Sequence, residues 1–122
     1  MAHFIYEYSA NLPPAELDLQ GLMAKMHTAA AATGIFPLAG MRSRAICCED
    51  YRIADGNPQY GFVNLSMKVG HGRDPDTRLA MGRTLFEILI EHLQPVFVSR
   101  GLAVSFEMRE LEEHVKFNHR NI

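Results

Sequence analysis

The period of the apolar positions changes several times along the chain, and each change marks an element. His3-Phe4-Ile5-Tyr6-Glu7-Tyr8 is rich in β-branched and aromatic residues and reads as a first strand. "NLPPAELD" interrupts it, because Pro13 and Pro14 cannot continue a ladder. From about Leu17 to Thr33 the apolar residues Leu19, Leu22, Met23, Met26 and Ala30 recur at helical spacing, and Gly34 stands where a C-terminal cap belongs. "IFPLAG" returns the chain, and Met41 to Ile53 reads as a second strand.

"ADGNPQ", Ala54 to Gln59, is turn chemistry centred on Asp55-Gly56, and after it the order repeats. Tyr60 to Val69 predicts a third strand. Asp74-Pro75 predicts a helix start, a capping carboxylate followed by proline in the first turn. Leu79, Gly82, Phe86, Leu89, Leu93 and Phe97 fall on one helical face, and Gly101 closes the helix. Pro95 should kink it by removing a backbone donor. Leu102, Val104, Phe106 and Met108 then alternate as a fourth strand.

The pattern predicts one α+β domain over residues 1–122, built as β-α-β twice, with pseudo-repeats at about 3–53 and 60–110 and a tail over 111–122. Right-handed crossovers make the strands within each unit parallel, giving a four-stranded mixed sheet with two helices on one face. The other face is left bare. Thr33 to Leu38 and the tail from Glu112 to Ile122 are too apolar or too structured for idle loops. Burying the bare face against copies of itself is the economical answer, so a homo-oligomer is expected.

Composition narrows the function. At 48% apolar residues the chain can build a core, and its formal net charge of −2 gives nucleic acid or an acidic membrane no general reason to bind. Any attraction for anions must be local. No apolar stretch approaches the roughly 18–20 residues that span a bilayer, and no charged-then-apolar leader precedes the first strand, which together predict a cytoplasmic protein. The only cysteines, Cys47 and Cys48, are adjacent and would point to opposite faces of a strand, fitting a reducing compartment and carrying no framework.

Two segments carry candidate chemistry. In "GMRSRA", Arg42 and Arg44 are two apart, so both guanidiniums leave the same face of a strand, with Ser43 opposite. A multiply charged carboxylate would separate the two like charges and be gripped in a fork by each; spacing alone favours the alternative, pairing of one or both with Asp or Glu of a neighbouring strand or subunit. In "KVGHGRDPD", Gly70 and Gly72 free the backbone ahead of a helix whose positive end, with Arg73, suits an anion. His3 lies near the amino end, where a structural role on the first strand competes with a place in a site. No Cys/His spacing suits zinc, and no P-loop, nucleophile elbow or dinucleotide fingerprint is present, so neither metal nor cofactor is expected.

The stretches "ATGIFPLAGMRSRA", "ADG", "FVNLSMKVGHGR", "LFEIL" and "SFEMREL" resemble the 5-carboxymethyl-2-hydroxymuconate isomerases of the tautomerase superfamily, in order from about His3 to Asn118. The resemblance implies a tautomerase-like fold of two β-α-β units and a homotrimer whose sheets face inward. It implies a cofactor-independent enzyme of aromatic catabolism that moves a proton between carbons of an unsaturated polycarboxylate. Arginines matching Arg42, Arg44 and Arg73 would bind the carboxylates, with Arg42 also drawing electron density from the dienol. The catalytic base would be the amine of an N-terminal proline exposed when the initiator methionine is removed. Here that position holds Ala2. A primary amine at Ala2 is then the expected base, or else the chain is a homologue that binds a small carboxylate without turnover.

Overall fold

A computed structural model describes all of residues 1–122. Strand β1 (Ala2–Ser9) is followed by a single helical turn, α1 (Pro14–Leu17), and by helix α2 (Leu19–Ala32). A 3-10 turn (Leu38–Gly40) leads into β2 (Met41–Cys48). The second half is β3 (Tyr60–Val69), α3 (Pro75–His92), α4 (Gln94–Ser99) and β4 (Gly101–Glu110). No helix is long and apolar enough to cross a membrane.

The four strands lie in the order β2-β1-β3-β4. β1 and β2 are parallel, β3 and β4 are parallel, and the two units meet antiparallel through β1 and β3. Each β-α-β unit therefore has the predicted sense, and the mixed α+β sheet is the one the sequence pattern implies. β2 and β4 are its unpaired edges.

Alternation divides each strand between two faces. Phe4, Tyr6, Leu65, Met67 and Val69 point to the helices and are fully buried there with Leu22 and Met26 of α2 and Leu85 and Leu89 of α3. The opposite face is polar rather than apolar. Register places Arg42, His3, Lys68 and Arg109 in one row across it, and Arg44, Ile5, Ser66 and Glu107 in the next.

Several boundaries differ from expectation, each for a local reason. The helix expected from Leu17 breaks at Asp18, which adopts φ 40° and accepts the Gly21 N–H at 3.2 Å, capping α2 so that it begins at Leu19. β2 ends at Cys48 rather than Ile53, because its partner β1 ends at Ser9, which pairs with Cys48. Pro95 marks a break rather than a kink: α3 stops at His92, and Pro95 lies in the first turn of α4, where a missing N–H costs nothing. Gly101 opens β4 instead of closing a helix. The buried stripe of α3 runs through Met81, Gly82, Leu85 and Leu89, while Leu79 is 56% exposed. The caps were otherwise legible. Asp74 accepts the Thr77 N–H at 3.2 Å, and Gly34 takes φ 75° just beyond α2.

Candidate active site

The sheet topology decides where the chain's amine lies. Ala2 pairs with Met41 at the start of β2 and with Val69 at the end of β3. Met1 therefore emerges between the 3-10 turn that precedes β2 and the Gly70–Arg73 loop that follows β3. Ala2 itself is fully buried, and while Met1 is attached its nitrogen is a strand amide; the basic nitrogen at this end is the α-amine of Met1.

Both flanking segments bring arginines. Nη1 of Arg73 donates to the Gly70 carbonyl at 2.8 Å, its Nη2 reaches the Ile35 carbonyl at 3.4 Å, and its guanidinium carbon sits 4.6 Å from the centre of the Phe36 ring. Arg42 Nη1 donates to the Gly40 carbonyl at 3.4 Å. Gly40 and Gly70 are the points of closest approach. A β-carbon on Gly40 would stand 3.0 Å from Nη1 of Arg120, 3.3 Å from Cγ of Pro37 and 3.7 Å from Cα of Met1. One on Gly70 would stand 3.2 Å from Nη1 of Arg73 and 3.8 Å from Nζ of Lys116. Glycine at both positions leaves room for cationic side chains against the backbone.

The electrostatics follow. The Met1 amine is held below its ordinary value of 8.0, first by burial and then by the charges of Arg73, Lys116, Arg120 and Arg42. The ion pairs of the chain are His71–Glu113, Arg78–Glu110, Arg109–Glu107 and His114–Glu113. None of the four cations around the amine has a carboxylate within 4.0 Å. A chain of net charge −2 thus gathers four cations at one spot without a direct ion pair, the carboxylate of Glu110 being felt by Arg73 from farther off.

Arg44 is placed differently. It shares the open face with Arg42, with Ser43 on the helix side as the spacing predicts, but lies one row farther along the sheet opposite Ile5. It is not among the charges that depress the amine; it acts on His3, whose pKa is lowered by burial, then by Arg44, Arg42 and Lys68. Within one chain, then, Arg42 and Arg73 converge on the amine and Arg44 converges on His3. Sequence reasoning missed Lys116 and Arg120. They lie in a tail without periodicity, and their only signal was positive charge set among the apolar residues Val115 and Phe117.

On the helix side, Ser43 Oγ lies 2.7 Å from His27 Nε2, which fastens the edge strand to α2 between the two arginines. No group of three or more His, Cys, Asp or Glu side chains is placed to hold a metal ion. An open groove of about 630 Å³ between α3 and β4 is lined by residues that include Leu79, Phe86, Val104 and Phe106 and shares none with the amine cluster.

Comparison with known proteins bears on what this arrangement does. The sequence profile of the 5-carboxymethyl-2-hydroxymuconate isomerase family matches residues 2–122. The Escherichia coli 5-carboxymethyl-2-hydroxymuconate Delta-isomerase is 43% identical over 122 residues, covering 100% of this chain and 96% of the relative. Among solved structures, a 5-carboxymethyl-2-hydroxymuconate isomerase from Deinococcus radiodurans R1 superposes with a TM-score of 0.91 at 33% identity, over 98% of this chain and 90% of that one. A second structure, of a 5-carboxymethyl-2-hydroxymuconate delta-isomerase, gives a TM-score of 0.82 at 26% identity, over 99% and 89% of the two chains.

Proposed function

The chain belongs to the 5-carboxymethyl-2-hydroxymuconate isomerase family of the tautomerase superfamily and is an isomerase; from that premise we propose that it moves a proton within an unsaturated polycarboxylate of the 5-carboxymethyl-2-hydroxymuconate type, in the breakdown of aromatic compounds. The single observation that carries this reading is the chain's α-amine end lying beside Arg42 and Arg73, neither of which has a carboxylate within 4.0 Å.

The chemistry follows from those groups. A cation-lined, partly desolvated amine is disfavoured as an ammonium, so its lone pair is free at lower pH than that of an ordinary α-amine. Arg42 and Arg73 hold substrate carboxylates in charge-assisted hydrogen bonds. The amine takes a proton from one carbon of the conjugated system and returns it to another. The electron pair left behind delocalises toward a carboxylate or enolate oxygen beside a guanidinium, a role this reading gives to Arg42. No atom is gained or lost, and no cofactor enters.

The working base in this reading is Ala2, freed by removal of Met1, at the position where a proline is expected. A primary amine at the end of a strand has more rotational freedom than a ring nitrogen and is less well aimed. Arg44 is read as a substrate-binding residue that reaches a neighbouring subunit's site. The assembly is read as a homotrimer in which copies cover the open sheet face and the unpaired edges β2 and β4. Solution mass tests that assembly.

The test of function is an ultraviolet assay with 5-carboxymethyl-2-hydroxymuconate and with 2-hydroxymuconate, on protein whose amino-terminal residue has been identified by mass spectrometry. Turnover by the native sequence, lost in Arg42→Ala and raised in Ala2→Pro, is the expected result. Turnover confined to Ala2→Pro, with carboxylate binding intact in the native sequence, would replace an active isomerase by a binding protein.

A further inference from the structure

The tail beyond β4 is tied down on its way past the amine. Leu111 N–H donates to the Val69 carbonyl at 2.7 Å, extending the ladder by one residue. Glu110 accepts the Gly72 N–H at 2.6 Å and lies 3.5 Å from Arg78. Glu113 sits 3.7 Å from His71, and Glu112 accepts the N–H of Val115. These contacts fold residues 110–115 onto the Gly70–Arg73 loop. Glu110 and Glu113 are thereby engaged on the loop side and Glu112 within the tail, and Lys116 and Arg120 continue past them to Gly70 and Gly40. Both lack a carboxylate partner.

We propose that this tail is a selectivity strap. Lys116 and Arg120 bind a further carboxylate of the substrate, beyond those held by Arg42 and Arg73, and make the site prefer more highly carboxylated molecules. Charge matching favours this role. Two guanidiniums suffice for two carboxylates, whereas four cations packed around one amine repel one another unless more negative charge enters. A tricarboxylate supplies it. On the loop side Glu110 lies 3.5 Å from Arg78 and also feels the charge of Arg73, while Glu113 faces His71; neither lies within 4.0 Å of Lys116 or Arg120. The proposal rests on the functional reading above for the site's substrate, but binding can be measured without turnover.

The test uses calorimetric titration with propane-1,2,3-tricarboxylate and with glutarate as probes. The full-length protein is compared with Lys116→Met/Arg120→Met and with the conservative Lys116→Arg/Arg120→Lys. Both side chains are exposed, so all three proteins should melt together. The methionine variant should lose about tenfold in affinity for the tricarboxylate and less than about threefold for glutarate, with the conservative variant close to wild type. Equal losses for both probes, no loss for either, or no binding of the tricarboxylate by wild type would each overturn the proposal. Selective binding without isomerase turnover would sink the functional reading and leave the strap standing. Turnover of both muconates with unchanged KM in the methionine variant would do the reverse.

Discussion

The Arg73 guanidinium lies 4.6 Å from the centre of the Phe36 ring, and through that contact the first β-α-β unit holds a cation that belongs to the second. Phe36 is almost fully buried in the loop after α2, so its ring is a fixed platform, and the Ile35 carbonyl beside it accepts from the same guanidinium at 3.4 Å. Phe36→Leu keeps most of the apolar bulk and removes the π face. Stability should fall by about 1 kcal/mol, and carboxylate affinity should fall several-fold as Arg73 loses its aim. Urea unfolding and probe titration measure the two separately. Unchanged affinity would mean that the Gly70 carbonyl alone positions Arg73.

Behind the arginine strand, two polar groups are in opposite situations. Ser43 and His27 satisfy each other at 2.7 Å, whereas the Tyr6 hydroxyl is buried with no hydrogen-bond partner. Burial pushes the Tyr6 pKa well above its ordinary value; Ser43, already engaged with His27, opposes that rise without completing a hydrogen bond to Tyr6. A buried donor without a partner is destabilising, so Tyr6→Phe should leave the melting temperature unchanged or raise it. Ser43→Ala strands His27 and should cost about 1 kcal/mol. A clear drop in the melting temperature of Tyr6→Phe would show that the hydroxyl is bonded after all.

Stability should decline as the solution is acidified from pH 8, in two stages. The Met1 amine is lowered from 8.0, and His3 and His27 are lowered from 6.5, in each case with burial as the largest cause. Between each ordinary value and its depressed folded value the unfolded chain binds a proton that the folded chain does not, so acid favours unfolding. In chains that keep Met1 the amine contributes just below pH 8; the histidines contribute below 6.5 in either form. Glu110, held below 4.5 by the Gly72 N–H, continues the same trend at lower pH. Urea midpoints between pH 8 and pH 5 measure the slope, and His3→Gln/His27→Gln should flatten its lower half. A midpoint that holds steady or rises on acidification would contradict these shifts.

How much of this was legible follows from the range of each interaction. Asp74, Pro75 and Gly34 act within one turn of helix, and their roles could be read from a few letters. The end of β2 depends on where β1 stops, and the buried stripe of α3 depends on how the helix is rotated against β4. Neither is a local property, and both were misjudged. Arg42 and Arg73 were visible as candidates because "GMRSRA" and "KVGHGRDPD" are distinctive. Their meeting at the amine comes from the pairing of Ala2 with both Met41 and Val69, which composition does not encode. The separation of Arg44 from that group has the same origin, one row of register. Lys116 and Arg120 stayed hidden because the path of the tail is set by Glu110 and Glu113 reaching a loop some forty residues earlier in the chain.

The acid limb of the pH–rate profile should report the amine and respond to some cations and not others. On the proposed mechanism the free base is the active form, so kcat/KM rises with pH through the amine's pKa; burial and neighbouring charge lower the Met1 amine from 8.0, and the Ala2 amine exposed at the same end of β1 should be lowered in the same direction. Removing a positive neighbour makes the ammonium easier to form and moves the pKa back up. Arg73→Gln should therefore shift the limb toward higher pH, and Lys116→Gln and Arg120→Gln should do so in smaller steps, since they follow Arg73 in the order of influence on the amine. Arg44→Gln should leave the midpoint in place, because Arg44 acts on His3 instead, even if it weakens substrate binding. Profiles of kcat/KM between pH 5 and pH 9 for the four variants separate charge tuning from binding. A midpoint that moves equally in Arg44→Gln and Arg73→Gln would place both charges at the same distance from the base, and one that moves in neither would identify some other group as the proton acceptor.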